Sequence, residues 1–328
     1  MMKVLVTGAE GFIGSHLVEH LLASGDEVRA FVLYNSFNSN GWIDTFSAEQ
    51  RAQIEVFPGD IRDAARVREA MEGVEAVYHL AALISIPYSY AAAASFVEVN
   101  VNGTLNVLQA AQQLALRRVL VVSSSEVYGT AQYIPMDEAH PLQPQSPYSA
   151  SKIGAESLAR AFFYSYHLPV TVVRPFNTYG PRQSARAFIP AVITQLLAEK
   201  PALHLGDLSP RRDLTYVKDT VAAMRHILEC EATVGEVINI ATGADISMSE
   251  LAAHLIALLR PGTEIVQDSS RLRPEASEVR RLLGSAQKLR SLTGWQPEYS
   301  MDQGLEETIT WFKQFRNSDH LPSTLTHY

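Results

Sequence analysis

The chain has 328 residues, 47% hydrophobic and 19% charged, a composition that excludes disordered, collagen-like and coiled-coil chains. At about 150 residues per domain, it accommodates two domains or one large α/β domain with an appendage. Lys plus Arg number 27 against 35 Asp plus Glu, a net charge of -8, so nucleic acid is not an expected partner.

In chain order, the first half alternates short β-branched runs with longer helical patterns. Strands are predicted over Lys3–Thr7, Glu27–Leu33 and residues 54–58, 76–81 and 119–123, and helices over 14–24, Ala64–Met71, 96–114 and 148–167. Strands separated by helices imply parallel pairing in a doubly wound sheet, to which 170–174 and 236–241 add two late strands. The alanine run Ala91–Ala94 reads as a helix start. After Pro175, Gly and Pro punctuate the pattern at Gly180-Pro181, Pro190, Pro201, Gly206 and Pro210, and shorter helices are expected over 249–259, 285–293 and 304–315. The expectation is an α/β protein. Residues 1–174, with 213–241 returning to them, bind a dinucleotide; 175–212 and 242–328 form a smaller mixed lobe over the carboxyl ends of the strands.

Cys230 is the only cysteine, which excludes an intrachain disulfide and suits a reducing compartment. The apolar run before Gly8 is short for a signal segment, and residues 251–259 are short for a membrane span and interrupted by His254, so a cytoplasmic protein with no membrane partner is expected. His16 and His20 stand four apart on the first helix, but Leu17 occupies the place of a metalloprotease glutamate, and no metal is expected.

Gly8-Ala9-Glu10-Gly11-Phe12-Ile13-Gly14 follows the first strand and opens the first helix. Glycines there allow a tight turn, close approach of a pyrophosphate and helix–strand packing, with free N–H groups of the helix N-terminus facing the anion. Tyr148-Ser149-Ala150-Ser151-Lys152 puts a tyrosine and a lysine on one helix face. The ammonium and an oxidised nicotinamide both favour phenolate, so a lowered tyrosine pKa and a role as base are expected.

The G-x-x-G-x-x-G spacing after Thr7, with Tyr-x-x-x-Lys, resembles the extended branch of the short-chain dehydrogenase/reductase superfamily, that of the nucleotide-sugar enzymes. Gly59-Asp60-Ile61, His79-Leu80-Ala81-Ala82 and Asn100-Val101-Asn102-Gly103-Thr104 resemble its adenine contact, nicotinamide-ribose segment and helix-start signature. The resemblance implies a Rossmann fold and a dinucleotide held by Gly8, Gly11, Phe12, Ile13, Gly14, Asp60, Ile61, Leu80, Ala81, Ala82, Asn100, Tyr148, Lys152 and Pro175. Many members end the second strand in an aspartate that binds the adenosine ribose. Here Val32 takes that register and no arginine follows within fifteen residues, which leaves NAD favoured and NADP open.

By the same register, Ser124 bridges the substrate oxygen and Tyr148. In sugar-nucleotide 4,6-dehydratases the corresponding triplet is Thr-Asp-Glu, the glutamate removing the C5 proton and the aspartate protonating the departing C6 hydroxyl. Ser124-Ser125-Glu126 keeps the glutamate and replaces the aspartate. The stretches around Glu126, Tyr148 and Asn177 are most similar to the N-acetylhexosamine nucleotide 4,6-dehydratases of legionaminic acid pathways. Ser85, Asn177, Arg186, Arg212 and Arg273 are the implied contacts to the nucleotide-diphosphate sugar. Paired guanidiniums suit a diphosphate. A 4-epimerase, which needs Tyr148 and Ser124 but no C5 base, a 5,6-dehydratase and a non-catalytic cofactor sensor are the competing readings, and the nucleotide base stays open. The resemblance also implies a homodimer through a four-helix bundle of the helices over 96–114 and 148–167, using Leu105, Val107, Leu108, Leu158, Phe162 and Phe163.

Overall fold

In the computed structural model, which describes residues 1–199, 201–269 and 277–316, the alternating runs of the first half become a seven-stranded sheet. Its strands are β1 (Lys3–Thr7), β2 (Glu27–Leu33), β3 (Ile54–Gly59), β4 (Ala76–His79), β5 (Arg118–Val122), β6 (Val170–Pro175) and β10 (Val237–Ile240). They lie in the order β10-β6-β5-β4-β1-β2-β3, every neighbouring pair parallel. The helices in chain order are α1 (Phe12–Ala23), α2 (Ala48–Ala52), α3 (Ala64–Met71), α4 (Ile86–Ala91), α5 (Ala93–Phe96), α6 (Gly103–Gln113), α7 (Pro147–Tyr166), α8 (Phe188–Leu197), α9 (Val217–Glu229), α10 (Met248–Leu259), α11 (Gln287–Thr293) and α12 (Met301–Arg316).

Apolar runs such as Val4-Leu5-Val6 are what a sheet covered on both faces requires. Val4 and Val6 point to one face, where Leu17, Leu21, Met224 and Leu289 from α1, α9 and α11 bury them. Leu5 points to the other, among Val67, Val107, Leu108 and Phe162 from α3, α6 and α7. Each such side chain, fully buried, contributes about 1.5–3 kcal/mol. Of the apolar residues expected to serve a dimer seam, Val107, Leu108 and Phe162 therefore belong to the chain's own core, while Leu105, Leu158 and Phe163 pack at its margin.

The order of strands reverses between β1 and β4. At such a point the loops leaving the two strands part and open a crevice. The strand expected over 76–81 stops at His79; Leu80 N still reaches Thr7 O at 3.2 Å but shares its proton with Thr7 Oγ1, and Ala81 N donates to that hydroxyl alone, each at 3.1 Å. The helix expected over 96–114 is broken too: Val97–Asn102 form a wider π-type turn before α6 begins. The alanine run spans the end of α4 and the start of α5, with Ala92 out of helical conformation at φ -132.

A second sheet is built on β7 (Asn177–Tyr179), β9 (Arg211–Tyr216), β11 (Asp245–Ser247) and β13 (Arg281–Leu282), with β9 pairing all three others, so residues 213–216, expected to return to the dinucleotide-binding part, lie in this sheet instead. A parallel pair, β8 (Ala202–Leu205) and β12 (Glu264–Gln267), lies beside it. Val192 of α8, Leu251 and Leu255 of α10, and Leu305 and Phe312 of α12 form its core. Asp213 is buried and ties the lobe together, accepting from Thr242 N, Gly243 N and Gly284 N.

Candidate active site

The glycine loop is built for close approach. Gly8 has φ +70, and a side chain there would meet Ala81 N at 2.9 Å; a Cβ on Gly14 would lie 2.0 Å from Gly8 O. Gly11 caps α1 without a side chain in the way, and Phe12 and Ile13 form the first turn. This cradle, open where any Cβ would close it, fits a pyrophosphate. The ring of His16, on the buried side of α1, hydrogen-bonds Phe12 O at 2.9 Å, and burial lowers its pKa to about 3.

A chain of buried hydrogen bonds runs from this loop to α7, which carries Tyr148 and Lys152. Thr7 Oγ1 accepts from Leu80 N and Ala81 N and lies 2.8 Å from His79 Nδ1. With both lone pairs in use, the hydroxyl donates to Nδ1, so His79 carries its proton on Nε2 and donates to Thr104 Oγ1 at 3.0 Å. Thr104 donates to Asn100 O at 2.6 Å. Asn100 clamps Leu83 at both N and O, at 2.8 and 3.0 Å, and donates to Ser151 Oγ at 2.9 Å. Ser151 in turn donates to Tyr148 O at 2.7 Å. The wide turn at Val97–Asn102 is what aims Asn100 at both the β4 loop and α7. Ala82 lies within the segment Asn100 holds.

Asp60, expected to contact adenine, follows β3 and is gripped by Arg62, with Nη2 to Oδ2 at 2.6 Å, which lowers its pKa. Ile61 is buried against Phe31 and the open face of Gly103. Val32 is buried in the sheet's core and presents nothing polar. The carboxylate at the end of β2 comes instead from Glu10, whose Oε1 accepts from Leu33 N at 3.0 Å. Sequence reasoning missed Glu10; the only signal was an acidic residue inside the glycine motif.

Ser146 caps α7, accepting from Ser149 N at 3.1 Å, and Pro147 opens its first turn. Tyr148 and Lys152 are 7% and 6% exposed. Lys152 Nζ donates to Val122 O at 2.9 Å, and burial lowers its pKa to about 8 against the opposing charge of Glu156. Glu156 holds Arg174 in a buried bidentate pair at 2.9 and 2.6 Å, a brace beneath the helix. The tyrosine pKa does not fall as expected. Burial pushes it up to about 12; the Ser124 hydrogen bond pulls it down and the Glu126 charge pushes it up. The lysine directs its ammonium at the Val122 carbonyl.

Beyond β5, Ser124 Oγ accepts from Glu126 N at 3.2 Å, shaping the turn that presents both residues. Ser125 is buried between them, while Ser124 and Glu126 are partly exposed. Ser124, Glu126, Tyr148 and Lys152 thus converge at the carboxyl ends of β4 and β5.

Pro175 is the buried last residue of β6. Asn177 opens β7 with its Oδ1 buried and unpartnered, as suits a polar ligand contact. Ser85 caps α4. Arg212 is buried and pairs with Glu278 at 3.2 Å. Arg186 is exposed on the loop before α8. Arg273 lies outside the described residues.

A doubly wound sheet with this cradle and a Ser–Tyr–Lys constellation defines an extended short-chain dehydrogenase/reductase. The chain belongs to the GDP-mannose 4,6-dehydratase family, whose model matches residues 5–308. It is 33% identical over 315 residues to the low-salt glycan biosynthesis protein Agl12 of Haloferax volcanii, covering 95% of this chain and 98% of that protein. It is 33% identical over 317 residues to a UDP-glucose 4-epimerase of Mycolicibacterium smegmatis, covering 95% and 99%. Among solved structures, the dTDP-glucose 4,6-dehydratase DesIV of Streptomyces venezuelae with NAD bound gives a TM-score of 0.85 at 32% identity, covering 96% and 98%.

Proposed function

We propose that the protein catalyses NAD-dependent 4,6-dehydration of a nucleotide-diphosphate hexose, an N-acetylglucosamine, to its 4-keto-6-deoxy product. The observation that carries this reading is Glu126, a carboxylate near enough to Tyr148 for its charge to act on the phenol. NAD, when bound, supplies the acceptor and later the donor of hydride. Tyr148 removes the 4-hydroxyl proton, with Ser124 bridging the two oxygens. The resulting ketone acidifies C5, and Glu126 takes that proton. The C6 hydroxyl then leaves as water. Ser125 is a poor acid, so protonated Glu126 gives that proton to the leaving oxygen; a solvent proton, relayed through Glu126, then completes C5 as hydride returns to C6. Asn177 and Arg212, with Arg273, hold the diphosphate.

A 4-epimerase is the second reading, favoured by the serine at position 125 and by the Mycolicibacterium relative. Mass spectrometry together with proton NMR after incubation with UDP-, GDP- and dTDP-hexoses separates the two. Loss of one water supports the dehydratase; a C4-inverted sugar of unchanged mass supports the epimerase. The same reading includes a cytoplasmic homodimer.

A further inference from the structure

In this fold an acidic residue at the end of the second strand accepts hydrogen bonds from the adenosine ribose. Here that strand ends without one, since Val32 is buried in the core. Glu10 reaches the same place from the glycine loop. Its Oε1 accepts from Leu33 N at 3.0 Å, and its backbone O accepts from Trp42 N at 3.1 Å, which fixes it between β2 and the following loop. Its Oε2 is buried and has no hydrogen-bond partner. A buried carboxylate oxygen left without a donor is costly, and a ribose hydroxyl supplies one. A 2′-phosphate offers acceptor oxygens and a charge of about -1.5 to -2 instead. Residues 33–46 contain no Lys or Arg to offset that charge. Asp44 adds a further carboxylate there, held by Asn40 N at 2.8 Å. Arg62, beyond β3, is engaged by Asp60 and Glu98.

We propose that Glu10 is the residue that selects NAD over NADP, its carboxylate standing in for the absent strand acid and accepting from the adenosine ribose. The proposal rests on the Gly8–Gly14 loop being a dinucleotide cradle. Calorimetric titration of the full chain, freed of copurified nucleotide, with NAD and with NADP tests both. The wild type binds NAD more tightly. Glu10→Gln keeps the acceptor for Leu33 N but removes the charge, and narrows the NAD-to-NADP affinity ratio by about tenfold or more. Glu10→Ser narrows it as well. An unchanged ratio in both variants overturns the proposal while leaving the cradle standing, as does a wild type that prefers NADP. A wild type that binds neither nucleotide overturns the cradle and the proposal together.

Discussion

Tyr148 is held where its proton is hard to remove: burial lifts its pKa to about 12, and the nearest cationic side chain of its helix, Lys152, is tied to a carbonyl. Its chemistry therefore depends on what binds beside it. Tyr148→Phe should retain NAD affinity, measured by calorimetry, and lose C4 oxidation by about 100- to 10,000-fold, read as nicotinamide absorbance on adding substrate. Tyr148, Lys152, Ser124 and Glu126 were legible in the sequence because each pair sits on a single helix face or strand-end turn, where spacing alone sets the geometry. Glu10 was not, because its partner Leu33 lies 23 residues away and meets it only through the pairing of β1 with β2. The fate of the Lys152 ammonium was hidden in the same way, its acceptor Val122 lying 30 residues upstream.

At the level of elements, the turn at Val97–Asn102 joins the cofactor loop to α7. Asn100→Ala should leave Leu83 N and O and Ser151 without that partner, costing about 1–3 kcal/mol of stability in chemical denaturation. It should also weaken NAD binding, because the segment after β4 loses its clamp. If affinity and stability both match the wild type, the clamp has no such role. The sheet strands were legible from their apolar runs, whereas this turn was not: Val97–Asn102 has no Gly or Pro to mark a break, and its three valines and two asparagines only weaken the helix. α9 is a different case. Val217, Val221, Met224 and Leu228 recur at helical spacing, but the surrounding glycines and prolines obscure the pattern.

Across the whole molecule, two buried histidines set a pH dependence of folding. Burial lowers His16 and His79 from 6.5 to about 3. Below pH 6.5 the unfolded chain takes up protons that the native protein excludes, so stability falls as pH drops towards 3. The expected slope is about 1.4 kcal/mol per pH unit for each histidine, measured by urea denaturation across this window. A flat profile would contradict it. The proposed dimer has a narrower apolar seam than the sequence implies, with Val107, Leu108 and Phe162 taken by the core. Val97, Tyr164 and Tyr166 are exposed at 50%, 64% and 54%, and offer a second copy an alternative apolar surface on the same helical layer. Light scattering at micromolar protein should give twice the 36.2 kDa chain mass; the mass of one chain would remove the dimer.

The central claim is that Glu126 removes the C5 proton. It is tested most directly with Glu126→Gln and an NDP-N-acetylglucosamine in deuterated water, following nicotinamide absorbance and product mass together. The wild type should release water and place deuterium at C5 of a 4-keto-6-deoxy sugar. Glu126→Gln should still oxidise C4, since Tyr148 and Ser124 are intact, and should stop there, accumulating reduced nicotinamide with no water lost. Dehydration by Glu126→Gln at the wild-type rate, or a wild type that inverts C4 without losing water, would contradict it.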